Sequence, residues 1–209
     1  MKELILAIIL FFFSYLIGSI QPAYIIGKAR GIDIRKHGSG NAGASNVIMT
    51  IGKKQGILVA AIDIFKAFLL VFVYSLLQDN QFLLDSYSLN MSMIVLGVVL
   101  GHDYPFYMQY RGGKGTSCYI GILLGLNPFL GIIALFIIFL FTLITDYIAL
   151  GTLALVIIAP IIAIVYFEIC IYVFISLVIL SLLSTYKHRQ NFMNILKGKE
   201  TKVRKTLFG

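Results

Sequence analysis

The sequence predicts an all-α protein that crosses a lipid bilayer several times, and three observations carry that reading. Hydrophobic residues make up 59% of the 209 positions and charged residues only 12%, a balance that soluble domains do not sustain. The runs Leu4 to Ile17, Ile57 to Leu77, Phe129 to Ile144 and Ile148 to Leu183 are nearly free of charge and long enough to cross hydrocarbon. The 17 Lys and Arg against 9 Asp and Glu, a formal net charge of +8, gather in two places. Lys28, Arg30, Arg35, Lys36, Lys53 and Lys54 lie in one connector; Lys187, Arg189, Lys197, Lys199, Lys202, Arg204 and Lys205 fill the C-terminal tail. Basic segments beside membrane helices face the cytoplasm, so the charge marks a topology and not a nucleic-acid partner.

About 20 residues of helix span a bilayer, and on that length seven crossings fit. The first runs from about Leu4 to Ile26, the second from Gln55 to Leu77 and the third from Leu89 to Tyr107. The fourth is short, starting after Gly115 and ending at Asn127-Pro128, a pair that favours a turn. The fifth returns from Phe129 to Thr145, the sixth runs from Tyr147 to Val165, and the seventh from Phe167 to Tyr186. Seven crossings put the N-terminus outside and the C-terminus inside. The connectors around Arg35, Lys114 and Asp146 then fall inside; Asp79, Asp85 and Glu168 fall outside. The first stretch resembles a signal peptide in Lys2, its apolar run and the small residues near Gly18 and Ser19, but the run is long and Pro22 follows with no Ala-x-Ala site, so it reads as a retained helix. Asp63 and Lys66, three apart in the second helix, are each costly alone in hydrocarbon and are expected to pair and lock this helix to a neighbour. Cys118 and Cys170 lie far apart in apolar sequence, so neither a disulfide framework nor a metal site is indicated.

Polar residues concentrate in three segments on the inner side. The first is Arg35-Lys36-His37-Gly38-Ser39-Gly40-Asn41-Ala42-Gly43-Ala44-Ser45-Asn46. Its glycines let backbone N–H groups converge on an anion, and Ser39, Asn41, Ser45 and Asn46 add neutral donors; the alternative is a tight re-entrant turn. Although Gly38, Gly40 and Gly43 match a dinucleotide fingerprint, no strand precedes them. The second is Gly101-His102-Asp103-Tyr104-Pro105 followed by Arg111-Gly112-Gly113-Lys114-Gly115-Thr116 at a helix start, where Gly112, Gly113 and Gly115 allow close approach of a phosphate and Lys114 supplies countercharge. It is not a Walker A loop, because Gly115 stands where Ser or Thr would follow the lysine. The third is His188-Arg189-Gln190-Asn191, then Lys197-Gly198-Lys199-Glu200, just beyond the last crossing. If the last helix continues through it, His188 and Asn191 face one side and reach one substrate together.

These strings, with Asp63, Lys66, Gly52-Lys53-Lys54 and the tail Gly198-x-Glu200, closely resemble the bacterial acyl-phosphate:glycerol-3-phosphate acyltransferases nearly from end to end. The resemblance implies a single seven-helix integral membrane acyltransferase domain over residues 1–209, in the bacterial cytoplasmic membrane. It implies transfer of a fatty acyl group from acyl phosphate to the 1-hydroxyl of glycerol 3-phosphate, giving lysophosphatidic acid for phospholipid synthesis. Family roles then fall on Ser39, Asn41 and Ser45, on Lys114, and on His188 and Asn191. Neither cofactor nor metal is implied; the partners are the two substrates, membrane lipid and the soluble enzyme that makes acyl phosphate.

The chain departs from the family at Ser45, usually Thr, at Ala149, usually Ser, and at Met49, where the family has an arginine that helps bind the acceptor phosphate. Loss of that guanidinium removes a contact worth about 1.5 to 3 kcal/mol. Either activity is weaker, or the acceptor differs, or Arg35, Lys53 or Lys54 supplies the charge. An acyl phosphate is a mixed anhydride with a good leaving group, so positioning and charge suffice. The proton acceptor is either His188 or a substrate phosphate oxygen. No Gly-x-Ser-x-Gly occurs, and Tyr107, Ala42 and Met193 stand five residues after His102, His37 and His188, so the His-x4-Asp pair of acyl-CoA-dependent enzymes is missing. The rivals are a paralogue with another acceptor, and a non-catalytic transporter or scaffold binding anionic lipid through its basic loops.

Overall fold

A computed structural model describes residues 1–77 and 87–208. The described residues form eleven α-helices and no strand. The expected positions of Asp79 and Asp85 lie outside the described residues.

The first crossing, expected as one helix, is broken. Helix α1 (Lys2–Gly18) ends and α2 (Pro22–Ala29) restarts after an extended Gln21, because Pro22 has no N–H to give a continuing helix and its fixed φ suits a first turn. The break frees the Gly18 and Ile20 carbonyls, and both accept hydrogen bonds from Lys66 Nζ, at 2.9 and 2.7 Å. Lys66 lies on α4 (Lys53–Ser75), which follows the short α3 (Ala44–Thr50). Asp63 and Lys66 pair as expected, Nζ to Oδ1 at 2.7 Å. The lysine also locks α4 to the break, and His102 Nδ1 stands 3.2 Å from Nζ.

Helix α5 (Tyr87–Asp103) is ended ahead of Pro105 and packs along α1. Helix α6 (Thr116–Leu126) packs against α4 so closely that a Cβ on Gly121 would stand 2.2 Å from the Ile64 carbonyl oxygen. Such small-residue contacts let helices associate where lipid removes the hydrophobic drive between them. Asn127 ends α6 and starts α7 (Pro128–Thr145), its side chain accepting from Phe129 N and Leu130 N at 2.9 and 3.4 Å. Helix α8 (Ile148–Tyr166) returns against α7. Then α9 (Ile171–Lys187) leads through a 46° bend into α10 (Arg189–Leu196), and α11 (Val203–Phe208) closes the chain.

The core between α4, α5, α6, α8 and α9 is built from Val71, Val95, Val98, Leu123, Leu155 and Leu177. Phe12 of α1, Phe65 of α4, Phe129, Phe136 and Phe139 of α7 and Leu182 of α9 point outward, an apolar exterior suited to lipid. Helices stand at all seven expected places, but only four spans among the described residues are long and apolar enough to cross by themselves. They are Lys2–Ala29, α4, α7 and α8; joining α9 to α10 makes five. At 17 and 11 residues, α5 and α6 reach only about 26 and 17 Å against a hydrocarbon core of about 30 Å.

Candidate functional site

The first polar segment follows α2. Asp33 caps the 3₁₀ turn Ile34–Lys36 and grips Arg35 through Nε at 3.0 Å and Nη2 at 2.8 Å, while Arg35 Nη1 donates to the Met108 carbonyl at 2.7 Å. Hydrogen bonding to Arg35 holds the pKa of the Asp33 carboxyl at about 2, and the hydrogen bond from Asp33 in turn raises that of the guanidinium. Arg35 is thus occupied in holding the turn to the loop after α5.

Asn46, the third residue of α3, is fully buried. Its Nδ2 donates to the carbonyls of Ile34 at 2.9 Å, His37 at 3.0 Å and Asn41 at 2.9 Å, and its Oδ1 accepts from Ser39 N at 2.8 Å. Expected to offer donors to an anion, Asn46 instead holds residues 34–41 in shape. Gly38 sits against it at φ +58°, where a Cβ would stand 2.2 Å from Asn46 Oδ1. The Ser39 and Ser45 hydroxyls and the Asn41 amide have no hydrogen-bond partner among the described residues, and Ser39 is exposed.

In the second segment, Gly112 N and Gly113 N donate to the Asp103 and His102 carbonyls, at 3.1 and 3.0 Å. These amides, expected to face a phosphate, satisfy the C-terminal carbonyls of α5 that have no intrahelical donor. Gly115, left-handed at φ +77°, caps α6 without a side chain, so the first N–H groups of α6 are the donors this segment still offers. Lys114 donates to Asn191 Oδ1, and Asn191 Nδ2 donates to Glu200 Oε1 at 2.8 Å. Burial lowers the Lys114 ammonium pKa, with the Glu200 charge acting the other way.

His188 sits at the α9–α10 bend, one turn before Asn191, and is 7% exposed. Its Nδ1 lies 2.8 Å from the Ser184 carbonyl, an acceptor only. The neutral ring therefore carries its proton on Nδ1 and keeps a lone pair on Nε2. Burial, then the Lys114 charge, push its pKa down to about 4.

The tail completes the assembly. Lys199 N and Glu200 N both donate to the Asn194 carbonyl, at 2.8 and 3.2 Å. Further on, Val203 N donates to the Asp146 carbonyl at 2.9 Å and Arg204 N to Asp146 Oδ1 at 2.8 Å. Between these anchors lies a 660 Å³ cavity walled by Ile48 and Met49 of α3, by Tyr147, and by the tail from Gly198 to Lys202. The second and third segments are joined through Lys114, Asn191 and Glu200, and Glu200 borders the cavity opposite Ile48 and Met49, which follow the first segment on α3; Ser39, Asn41, Ser45, Asn46, Lys114 and His188 do not line it. Ala149 is buried and takes no part in the cavity wall.

Sequence reading placed no role on Glu200, although it is the only carboxylate in a strongly basic tail. Asp63, His102 and Cys118 each bring one ligand atom within 4.8 Å of the others. Lys66 Nζ, at 2.7 Å from Asp63 and 3.2 Å from His102, already places a cation in that cluster.

Described residues that are helical without a strand, with an apolar exterior and several spans long enough to cross hydrocarbon, make this a multi-pass integral membrane protein. Residues 8–198 match the family described as Glycerol-3-phosphate acyltransferase, and the chain belongs to that family. It is 39% identical over 197 residues to Glycerol-3-phosphate acyltransferase 1 of Oceanobacillus iheyensis, covering 94% of each chain. It is 34% identical over 201 residues to the Staphylococcus aureus glycerol-3-phosphate acyltransferase, covering 94% of this chain and 98% of that one. Its fold is similar to two crystal structures of PlsY (YgiH), an integral membrane glycerol 3-phosphate acyltransferase. The glycerol 3-phosphate form gives a TM-score of 0.85 and the lysophosphatidic acid form 0.83. Each is 31% identical and covers 97% of this chain and 99% of that one.

Proposed function

We propose that the protein transfers a fatty acyl group from acyl phosphate to the 1-hydroxyl of glycerol 3-phosphate, giving lysophosphatidic acid and inorganic phosphate. The observation that carries the reading is the chain of hydrogen bonds from Lys114 through Asn191 to Glu200, which joins two polar segments distant in sequence and ends at the cavity that Glu200 shares with Ile48 and Met49 of α3. The acyl chain stays in lipid, and the donor phosphate rests at the N-terminus of α6 beside Lys114, where backbone N–H groups and a cation neutralise it. Ser39, Asn41 and Ser45 contribute polar groups on the acceptor side. The hydroxyl oxygen attacks the acyl carbon, the bond from that carbon to the phosphate oxygen breaks, and phosphate leaves with the electron pair. The hydroxyl proton goes to His188 Nε2 or to a phosphate oxygen. A resting pKa near 4 makes His188 a weak base in the empty site, and the charge of bound phosphates raises it.

The chain crosses a bacterial cytoplasmic membrane seven times as one domain, with α5 and α6 completing the count in a locally thinned bilayer, the N-terminus outside and the cavity inside. Support comes from the basic connector, Lys114, Asp146 and the tail meeting at one end of the helices. Acyl phosphate reaches that face from the soluble enzyme that makes it.

A second reading, a paralogue with another acceptor, is favoured by Met49, which brings no charge to the cavity wall. An acceptor screen separates the two. Glycerol 3-phosphate accepted in preference to dihydroxyacetone phosphate and glycerol supports the first reading; turnover with another acceptor alone replaces it by the second.

A further inference from the structure

His102 takes no part in the chemistry proposed above, yet it is 3% exposed and packed against the loop that carries Lys114. Its carbonyl accepts from Gly113 N at 3.0 Å and, across the α1–α2 break, from Gln21 Nε2 at 2.6 Å. Its ring lies so close to Gly113 that a Cβ there would stand 1.9 Å from Nε2 and 2.7 Å from Cδ2 and Cε1. The Gly113 backbone is not left-handed, so the missing side chain serves this contact and not a turn. The opposite edge of the ring is fixed as well. Nδ1 stands 3.2 Å from Lys66 Nζ and 3.3 Å from Asp63 Oδ1, and Lys66 is itself anchored on the Gly18 and Ile20 carbonyls. A ring held in this way in a close-packed interior cannot swing aside, so it sets where the neighbouring backbone runs. Gly113 directly precedes Lys114, whose Nζ donates to Asn191 Oδ1. The buried ion pair of α4 is thus linked to the lysine of the glycine loop through one imidazole.

We propose that His102 is a positioning residue for Lys114: its carbonyl and its ring hold Gly113, while Lys66 and Asp63 brace the ring from behind. The proposal rests on the acyltransferase reading above, in which Lys114 neutralises the donor phosphate. A displacement of about 1 Å in such a group costs about 100-fold in rate. The break between α1 and α2, far from the phosphate, thereby becomes part of what places the charge beside it.

The test uses the full chain in nanodiscs, with kcat/KM for acyl phosphate as the readout. His102→Ala should lower it about 10-fold to 100-fold. In a Lys114→Gln background the same change should cost no more than about twofold, because a residue that acts through Lys114 then has nothing to position. A larger further loss shows a merely structural role and overturns the proposal. Gly113→Ala should be as damaging as His102→Ala, since its methyl group meets the braced ring. Adding His102→Ala to Gly113→Ala makes room for that methyl group and should raise kcat/KM at least about fivefold over Gly113→Ala alone; a smaller gain overturns the proposal. Should His102→Ala fail to fold, Asp63→Asn with Lys66→Met frees the rear of the ring instead. Gly113→Ala should then cost less than it does in the parent, and an equal cost overturns the proposal. If the unaltered protein makes no lysophosphatidic acid, the acyltransferase reading fails, and the reaction of Lys114 with an amine-selective reagent, followed by mass spectrometry, decides the positioning separately. A rate raised more than about twofold by His102→Ala supports it, because a half-buried ammonium has been released; any smaller change overturns it.

Discussion

Replacing Asn46 with alanine tests whether the first polar segment is held by its own buried amide. Two Nδ2 hydrogens serve three carbonyls, and Oδ1 serves one N–H, so about three hydrogen bonds' worth of interaction is lost. At about 1 kcal/mol net per bond, with a further penalty for each backbone group left without water, the loss is about 3 to 5 kcal/mol. The residue is fully buried, so solvent does not replace these bonds at once. The loop opens locally, since it is tied to the helical body chiefly through Arg35 and the Ile34 side chain. At 1.4 kcal/mol per decade, amide exchange over residues 34–46 should accelerate at least 100-fold in protein held in nanodiscs, and the acceptor KM should rise by a similar factor. Exchange in α4 and α6 should be unchanged. Asn46→Asp, which keeps the acceptor for Ser39 but turns a charge toward three carbonyls, should do no better than alanine. Unaltered exchange over residues 34–46 together with an acceptor KM within twofold would refute the assignment.

Other outcomes follow from the same geometry. Lys114→Gln should lower kcat/KM by about 100-fold to 1,000-fold, the range for removing one preorganised charge from a developing anion; a loss under threefold removes Lys114 from the chemistry. His188 should remain neutral until the pH falls through about 4, read by nitrogen chemical shifts of its ring in the empty protein. Lys114→Gln should move that midpoint upward, and a midpoint at the ordinary 6.5 in the unaltered protein contradicts the burial argument. Its stabilising contribution is present above 6.5 and is lost as pH falls toward 4, because the unfolded chain takes up the proton first. Lys66→Met leaves the Asp63 carboxylate with His102 Nδ1, at 3.3 Å, as its remaining side-chain partner and should cost up to about 3 to 5 kcal/mol, seen as a lowered Tm, whereas Asp63→Asn with Lys66→Met should recover part of it. A single variant as stable as the parent would show that the pair does not lock α4 to the α1–α2 break.

Much of the fold was legible because apolar length and local turn chemistry are properties of adjacent residues. Asn127-Pro128 marks its turn in the sequence, and Asp63 with Lys66 announces a pair because neither is tolerable alone in hydrocarbon. The break at Ser19 to Gln21 was less visible: Pro22 permits it, but the group that satisfies the freed carbonyls, Lys66, stands more than forty residues away. Distance in sequence also hid the roles of Asn46 and the loop glycines. A loop asparagine reads equally well as a ligand donor or as a clasp, and only the positions of Ile34, His37 and Asn41 carbonyls decide it. Gly112 and Gly113 were read as phosphate donors because their pattern suits one, while the end of α5 has the prior claim on their amides. The folding back of the tail was hidden because Asp146 and Asn194, which hold it, are ordinary residues in sequence.

The most direct measurement of the central claim is made on the purified chain in nanodiscs with acyl phosphate and glycerol 3-phosphate as the only substrates, lysophosphatidic acid and inorganic phosphate being quantified together. Equal amounts of the two products, with Lys114→Gln lowering both by at least about 100-fold, is the predicted result. Phosphate release without lysophosphatidic acid, or acylation that requires a thioester donor, would contradict it.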